Sequence, residues 1–329
     1  MPLPTTSLSI WTLTDGKIGM ANQCLGLAEA LLGRVDEGTI VEKVILPKAP
    51  WKWLPAKVWP SSIDFAGPGS DAIEMPWPDV VISCGRNAVG PALAIKSRSS
   101  GTTFIIHVQH PRVKITHFDL ISAPIHDGLR GQNVIQVIGS MHRVTPEVLR
   151  FASRQFSKMI DPLPHPRIAV LIGGSNSSYN MTAETIRRIA RDLVAINKQT
   201  GAGLMITTSR RTTEANSKLL SNAIDGIPNI FWNGKGKNPY FAFLSAADAI
   251  IVTCDSVNMI TEAAASGKPL LIAELEGKNR KFGTFYQSLY LQGIARPFKG
   301  YLEQWSYQPL NEPARVAREA LRRIEAAQR

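Results

Sequence analysis

Asp255, Ser256, Asn258 and Glu262 lie close together in VTCDSVNMITEAAASGKPLLIA (252–273), a stretch that reads strand, helix, strand. If Asp255 or Ser256 caps the helix, the free N–H groups of its first turn favour an anion. Asn258 and Glu262, four residues apart, then share a face, and Glu262 is placed to accept hydrogen bonds from a sugar diol. Phosphate at the helix start and ribose on the carboxylate together describe a nucleotide. The plainer alternative is a helix cap beside a solvated glutamate. Other loops that follow apolar runs carry complementary groups. They are GGSNSSYN (173–180), SRRTT (209–213), WNGKGKNPY (232–240) and ELEGKNRKFG (274–283). Arg210, Arg211, Lys235, Lys237, Lys278, Arg280 and Lys281 would form a phosphate-binding rim, and Gly174, Ser175, Ser209 and Trp232 are further candidate contacts for such a nucleotide. Taken singly, each cation is a solvated loop residue.

The first half carries a second set of candidates. Asp15, in TDGKIG after the first apolar run, either takes a proton from a substrate hydroxyl or only stabilises the glycine turn. His126 and Asp127 in PIHDG form an alternative acid–base pair. Lys17, Asn22, Gln23, Arg86, Asn87, His110 and Arg112 lie near the same run ends and are candidate contacts for an acceptor. His107 and His110 are three apart with no further ligand-like spacing, so they read as a substrate-binding or hydrogen-bonded pair and not as a metal site.

The elements that would position these groups alternate along the chain. Strand-like runs fall at 8–14, 39–46, 79–84, 102–109, 118–123 and 133–139, with helical patterns at 20–33 and 87–98. After DPLPHPR (161–167), a proline-rich hinge, a second series begins. Its strands fall at 167–172, 203–208, 228–231, 249–253 and 269–273, with helices between them and a last helix at 312–327. Strand–helix alternation with continuous apolar strands predicts parallel α/β sheets. The expectation is two Rossmann-like domains, 1–160 and 161–329, with parallel sheets facing a central cleft and the last helix able to pack back on the first. Ligands in such sheets sit beyond the carboxyl ends of the strands, where every candidate above lies.

Composition narrows the classes. The chain has 329 residues, 44% of them hydrophobic, and a formal charge of +11, which suggests an anionic partner. Three dispersed cysteines in apolar contexts read as buried thiols of a reducing compartment. The start reads as neither a signal nor a transit peptide, and no apolar run is long enough to span a bilayer. The expected location is cytoplasmic, peripheral on the cytoplasmic face of the inner membrane. No GxxxxGK[ST] or GxGxxG fingerprint and no DxD motif is present. Basic residues do not form a stripe interleaved with aromatics, which argues against nucleic acid. LPKAPWKWLPAKVWP (46–60) has three tryptophans and three lysines. It either meets an anionic membrane or folds inward as a satellite core.

Collectively, TDGKIGMANQ (14–23), SCGRNAVGPALA (83–94), HPR (110–112), FDLISAPIHDG (118–128), VLIGGSNSSY (170–179), TTSRRT (207–212), residues 238–269 and KFGTFYQSL (281–289) resemble one family over nearly the whole chain. It is the family of the plant elongated-mitochondria fission factor, many of whose bacterial members are named as glycosyltransferases. The resemblance implies a GT-B-like α/β architecture and no particular donor sugar. With it, the second half is expected to bind a nucleotide sugar and the first a lipid-linked or glycan acceptor of the cell envelope, with no cofactor and no metal. A nucleotide-sugar epimerase and a non-catalytic membrane-fission adaptor are the other readings.

Overall fold

A computed structural model describes residues 7–54 and 66–327. Trp59 and Lys57 of the tryptophan-rich stretch lie outside the described residues. Six parallel strands form the first sheet: β1 (Ser7–Thr14), β2 (Glu37–Val44), β3 (Val80–Cys84), β4 (Phe104–Val108), β5 (Leu120–Pro124) and β6 (Val134–Val137). Their order is β2-β1-β3-β4-β5-β6. Helix α1 (Ile18–Leu32) connects β1 to β2, and α2 (Arg86–Arg98) connects β3 to β4. Strands β3 and β5 are buried throughout, as parallel strands covered on both faces must be. On one face Leu27 and Leu31 of α1 meet Ile82 and Ile106; on the other Ala88, Ala92 and Ile95 of α2 meet Trp11, Val81 and Ile105.

The chain continues through α3 (Pro146–Gln155), α4 (Ser157–Ile160), β7 (Arg167–Ile172), β8 (Tyr179–Asn180), α5 (Ala183–Thr200), β9 (Gly203–Thr208) and α6 (Glu214–Ala223). Next come β10 (Asn229–Trp232), α7 (Tyr240–Ala246), β11 (Ala249–Thr253), α8 (Val257–Ala265), β12 (Leu270–Ala273), β13 (Glu276–Gly277), α9 (Arg280–Leu291) and β14 (Ala295–Pro297). The second parallel sheet runs β10-β9-β7-β11-β12-β14, the doubly wound order of nucleotide-binding folds. β8 and β13 form a small antiparallel pair beside it. Last, α10 (Glu312–Ala327) lays Val316, Ala317 and Ala320 against the α1 face of the first sheet.

Two compact units result: Met1–Arg143 with Asn311–Arg329, and Val144–Leu310. The division therefore falls before α3, not within the proline-rich 161–167 stretch, because α3 packs on α7 inside the second unit. Within the units, the sequence reading missed α3 and the short edge strand β14, which has only three residues.

Candidate functional site

In each unit the strand order reverses at one place, and the loops there are the natural ligand site. In the second unit that place lies between β7 and β11, so Gly173 and Gly174 leave one strand beside Asp255 and Ser256 leaving the other. Asp255, with its side chain fully buried, ties the loops together. Its carboxylate accepts hydrogen bonds from the Gly174 amide at 3.0 Å and the Thr253 hydroxyl at 2.7 Å, and pairs with Arg211 at 2.6 Å. Asn176 Nδ2 donates to the Asp255 carbonyl at 3.1 Å, and Thr212 Oγ1 donates to the Gly173 carbonyl. Glycine is required at both loop positions. A Cβ on Gly173 would sit 2.1 Å from Asp255 Oδ2, and one on Gly174 would sit 2.2 Å from the Arg211 carbonyl oxygen. Three loops are thereby locked into one rigid rim.

Ser256 caps α8, its hydroxyl accepting from the Met259 amide at 3.4 Å. Glu262 lies six residues on, about 9 Å along the helix axis. Its carboxylate is buried (8% exposed) and accepts a 2.7 Å hydrogen bond from the Tyr240 hydroxyl at the start of α7. Burial pushes the Glu262 carboxyl up to about 7, against the pull of that hydrogen bond in the other direction. Burial first, and then the facing Glu262, pushes the Tyr240 phenol well above its ordinary range. Among the described residues Tyr240 is the one hydrogen-bond donor to Glu262. A carboxylate with so little to satisfy it inside the protein has acceptor capacity left for hydroxyl donors. Trp232 Nε1 donates to the Lys235 carbonyl at 2.9 Å and folds the basic loop after β10 back on itself. Asn279 caps α9 ahead of the exposed Lys281, and its Nδ2 donates to Ser178 of the β7–β8 loop at 2.7 Å.

The switch point of the first unit lies between β1 and β3. Gly16, at φ +76°, turns the chain out of β1, and Gly85, at φ +84°, turns it out of β3. Both conformations suit glycine. Neither α1 nor α2 has a side-chain cap, whereas α5, α6, α8 and α9 do. The N-cap residues of α1 and α2, Lys17 and Gly85, thus supply no side-chain acceptor of the kind that closes the other four. Asp15 closes the turn, accepting from the Lys17 amide at 3.3 Å and pairing with Lys17 Nζ at 2.5 Å. A cavity of about 300 Å³ at the end of β1 and β2 is lined by Thr12, Thr14, Gly16, Ile18 and Asn22 among others. Gln23 is buried; it donates to the Gly19 carbonyl at 3.1 Å and accepts from Gln109 Nε2 at 3.2 Å. Arg86 donates to the Lys52 carbonyl at 2.9 Å, and Asn87 follows it in the first turn of α2. His110 Nδ1 accepts from the Arg112 amide at 3.0 Å in a loop where Gln109 and Arg112 both hold positive φ. His126 and Asp127 lie half-buried in a 3-10 turn after β5.

The chain and its fold have counterparts among known proteins. Residues 18–324 match the family described as mitochondrial fission ELM1. The chain belongs to the mitochondrial fission ELM1 family. It is 30% identical to the mitochondrial fission protein ELM1 of Arabidopsis thaliana over 76% of its own length and 64% of the plant protein's, so the match spans just under two thirds of that relative. An uncharacterised protein of Rickettsia prowazekii is 27% identical over 94% of this chain and 97% of its own. Among solved structures, the UDP-GlcNAc 2-epimerase of Methanocaldococcus jannaschii superposes with a TM-score of 0.52 at 13% identity, covering 95% of this chain and 99% of the epimerase. At that identity the likeness is one of fold, and this ELM1-family chain has the GT-B-like α/β fold.

Within this ELM1-family chain the expected donor residues divide by role. Ser256, Asn258 and Glu262 share α8, with Ser256 at its cap and Glu262 buried. Asp255 and Arg211 are spent on one another in the loop tie, leaving Arg210 exposed beside them. Ser175 and Ser209 also work inside their own loops: Ser175 accepts from the Met181 amide and Ser209 from the Arg211 amide. His107 makes no hydrogen bond to His110. Its Nδ1 bonds Ser83 at 2.9 Å in the core, and burial drives its pKa down to about 3. Sequence reasoning passed over Tyr240 and Gln109. NPY directly before an apolar helix was the available signal for Tyr240; nothing in HVQHPR marked Gln109.

Proposed function

We propose that this chain is a glycosyltransferase whose second unit binds a nucleotide-activated sugar and whose first unit holds a glycan or lipid-linked acceptor of the cell envelope. The observation that carries the reading is Glu262: a buried carboxylate on the helix that leaves the switch point, with Tyr240 as its hydrogen-bond donor. Two ribose hydroxyls are the ligand chemistry that fits it. They would supply the missing donors and favour the ionised carboxylate. The capped start of α8 and the exposed Arg210 beside it then meet the diphosphate and stabilise its departure, so the transfer needs no metal.

On the acceptor side, the uncapped starts of α1 and α2, together with Lys17 and Arg86, suit an acceptor that carries an anionic group. Asp15, or His126 with Asp127, takes the acceptor hydroxyl's proton as the sugar's anomeric carbon moves to that oxygen. The diphosphate leaves with the bonding electrons. The reaction is tested by incubating the purified chain with a panel of nucleotide sugars, with and without lipid-phosphate and glycan acceptors, and measuring free nucleoside diphosphate. Acceptor-dependent release is expected. A sugar that changes configuration while still joined to its nucleotide would make the chain an epimerase. Failure to bind any nucleotide would favour the adaptor role suggested by the name of the plant relative.

A further inference from the structure

The tryptophan-rich stretch of the first unit divides in two. Trp51 packs, partly buried, against the core cluster that contains Ile45, Ile73 and Val89. Trp53, two residues on in the same 3-10 turn, is 69% exposed. The turn is held firmly at its base: the Arg86 guanidinium donates to the Lys52 carbonyl at 2.9 Å, and the Trp53 amide donates to the Pro50 carbonyl at 3.1 Å. A rigid turn therefore presents an indole outward, with Lys52 Nζ lying 4.6 Å over its ring.

Further apolar side chains are exposed in the neighbouring segments. Leu46 follows β2 and is 38% exposed, and Met75 is 74% exposed. Backbone bonds from Gly67 to Leu46 and from Asp71 to Val44 run the segment leading to Met75 alongside the end of β2. The described stretch 46–54, LPKAPWKWL, holds Lys48 and Lys52 and no acidic residue; in the segment leading to Met75, Asp71 accepts from the Val44 amide and Glu74 is exposed. Large apolar side chains left in water together mark a docking surface. An indole paired with lysines is the combination that seats at a bilayer's headgroup level, the ring among the acyl–headgroup boundary and the ammonium on acidic lipid. A protein partner would more often meet a neutral apolar patch with its charges at the rim.

We infer that this margin of the first unit docks on an anionic bilayer through Trp53, with Lys48 and Lys52 supplying the electrostatic part. The inference rests on the surface alone and holds whichever reaction the chain performs. No helix among the described residues is long and apolar enough to cross a membrane.

Co-sedimentation of the full chain tests it, using vesicles of phosphatidylcholine with about a third phosphatidylglycerol and, in parallel, vesicles of phosphatidylcholine alone. Binding to the mixed vesicles should exceed binding to the neutral ones and weaken as salt is raised. Trp53→Ser should lower partitioning about tenfold, and Lys48→Gln with Lys52→Gln about thirtyfold at low salt. Trp53 is exposed, so its variant should melt with the wild type, whereas Trp51→Ser should lower the melting temperature. Wild type that stays in the supernatant with mixed vesicles overturns the inference. So does a folded Trp53→Ser protein that sediments as well as wild type. Because no nucleotide is present, neither outcome depends on the donor site.

Discussion

Replacing Glu262 by Gln should make the unliganded protein more stable at pH 8 and change its stability little at pH 5. The Glu262 carboxyl moves from its ordinary 4.5 to about 7 on folding, chiefly because burial penalises the charge. Between those two values the unfolded chain gives up the proton while the folded chain keeps it. Stability contributed by the protonated group is therefore present below pH 4.5 and is lost as pH rises to 7. Each pH unit of that window is worth about 1.4 kcal/mol, so carrying the ionised carboxylate at pH 8 costs the folded state about 3 kcal/mol. Glutamine keeps an oxygen to accept from Tyr240 and never ionises, so it should recover most of that cost. The assay is denaturant or thermal unfolding of wild type and Glu262→Gln at both pH values. The variant should gain about 2–3 kcal/mol at pH 8, which is a rise of several degrees in melting temperature, and at most a small fraction of it at pH 5. An equal effect at the two pH values, or destabilisation at pH 8, would refute the reasoning from burial. A carboxylate that weakens its own protein at neutral pH is the pattern expected of a ligand group held ready at a cost.

The two neighbouring arginines should separate cleanly. Arg211→Ala removes the partner of a fully buried Asp255 and should cost about 3 kcal/mol of stability, read as a lower denaturation midpoint. Arg210→Ala should leave the midpoint unchanged and weaken binding of a nucleoside diphosphate more than of the nucleoside, measured by titration. His107, buried and neutral with its pKa near 3, destabilises the fold as pH falls below 6.5, because the unfolded chain then binds a proton the folded one refuses. His107→Gln should therefore lose less stability than wild type between pH 7 and pH 5, which urea titrations at the two pH values will show.

Much of this was legible in the sequence, for physical reasons. Parallel strands buried on both faces read as unbroken apolar runs, so β7, β9 and β11 declared themselves in RIAVLI, GLMITT and AIIVT. Ser256 before a run of alanines marked the α8 cap, and Glu262 four residues from Asn258 marked a polar face on an otherwise apolar helix. Local pattern could not say who meets whom across the fold. Tyr240 and Glu262 are 22 positions apart, and the Asp255 tie reaches back 81 residues to Gly174. Asp255 or Ser256 read as the helix cap; Ser256 is that cap and Asp255 a buried brace, while Arg211, read as an open cation, is half of an ion pair. His107 and His110 looked paired because they are close in sequence. One lies within β4 in the core and the other follows a residue at positive φ, which turns their rings to different hydrogen-bond partners. The edge strand β14 and the boundary at Val144 escaped for a related reason: both are set by packing, and ARP and the residues around 144 carry little pattern of their own.

Calorimetric titration of nucleoside diphosphates into wild type, Glu262→Gln and Glu262→Ala at pH 8 tests the donor site most directly. One base should give saturable one-site binding to wild type, and both variants should bind it weaker by about 1–3 kcal/mol while melting as folded proteins. Wild type that binds none of the diphosphates, or variants that bind the cognate one with unchanged affinity, would contradict the assignment of α8 and its buried carboxylate to a nucleotide.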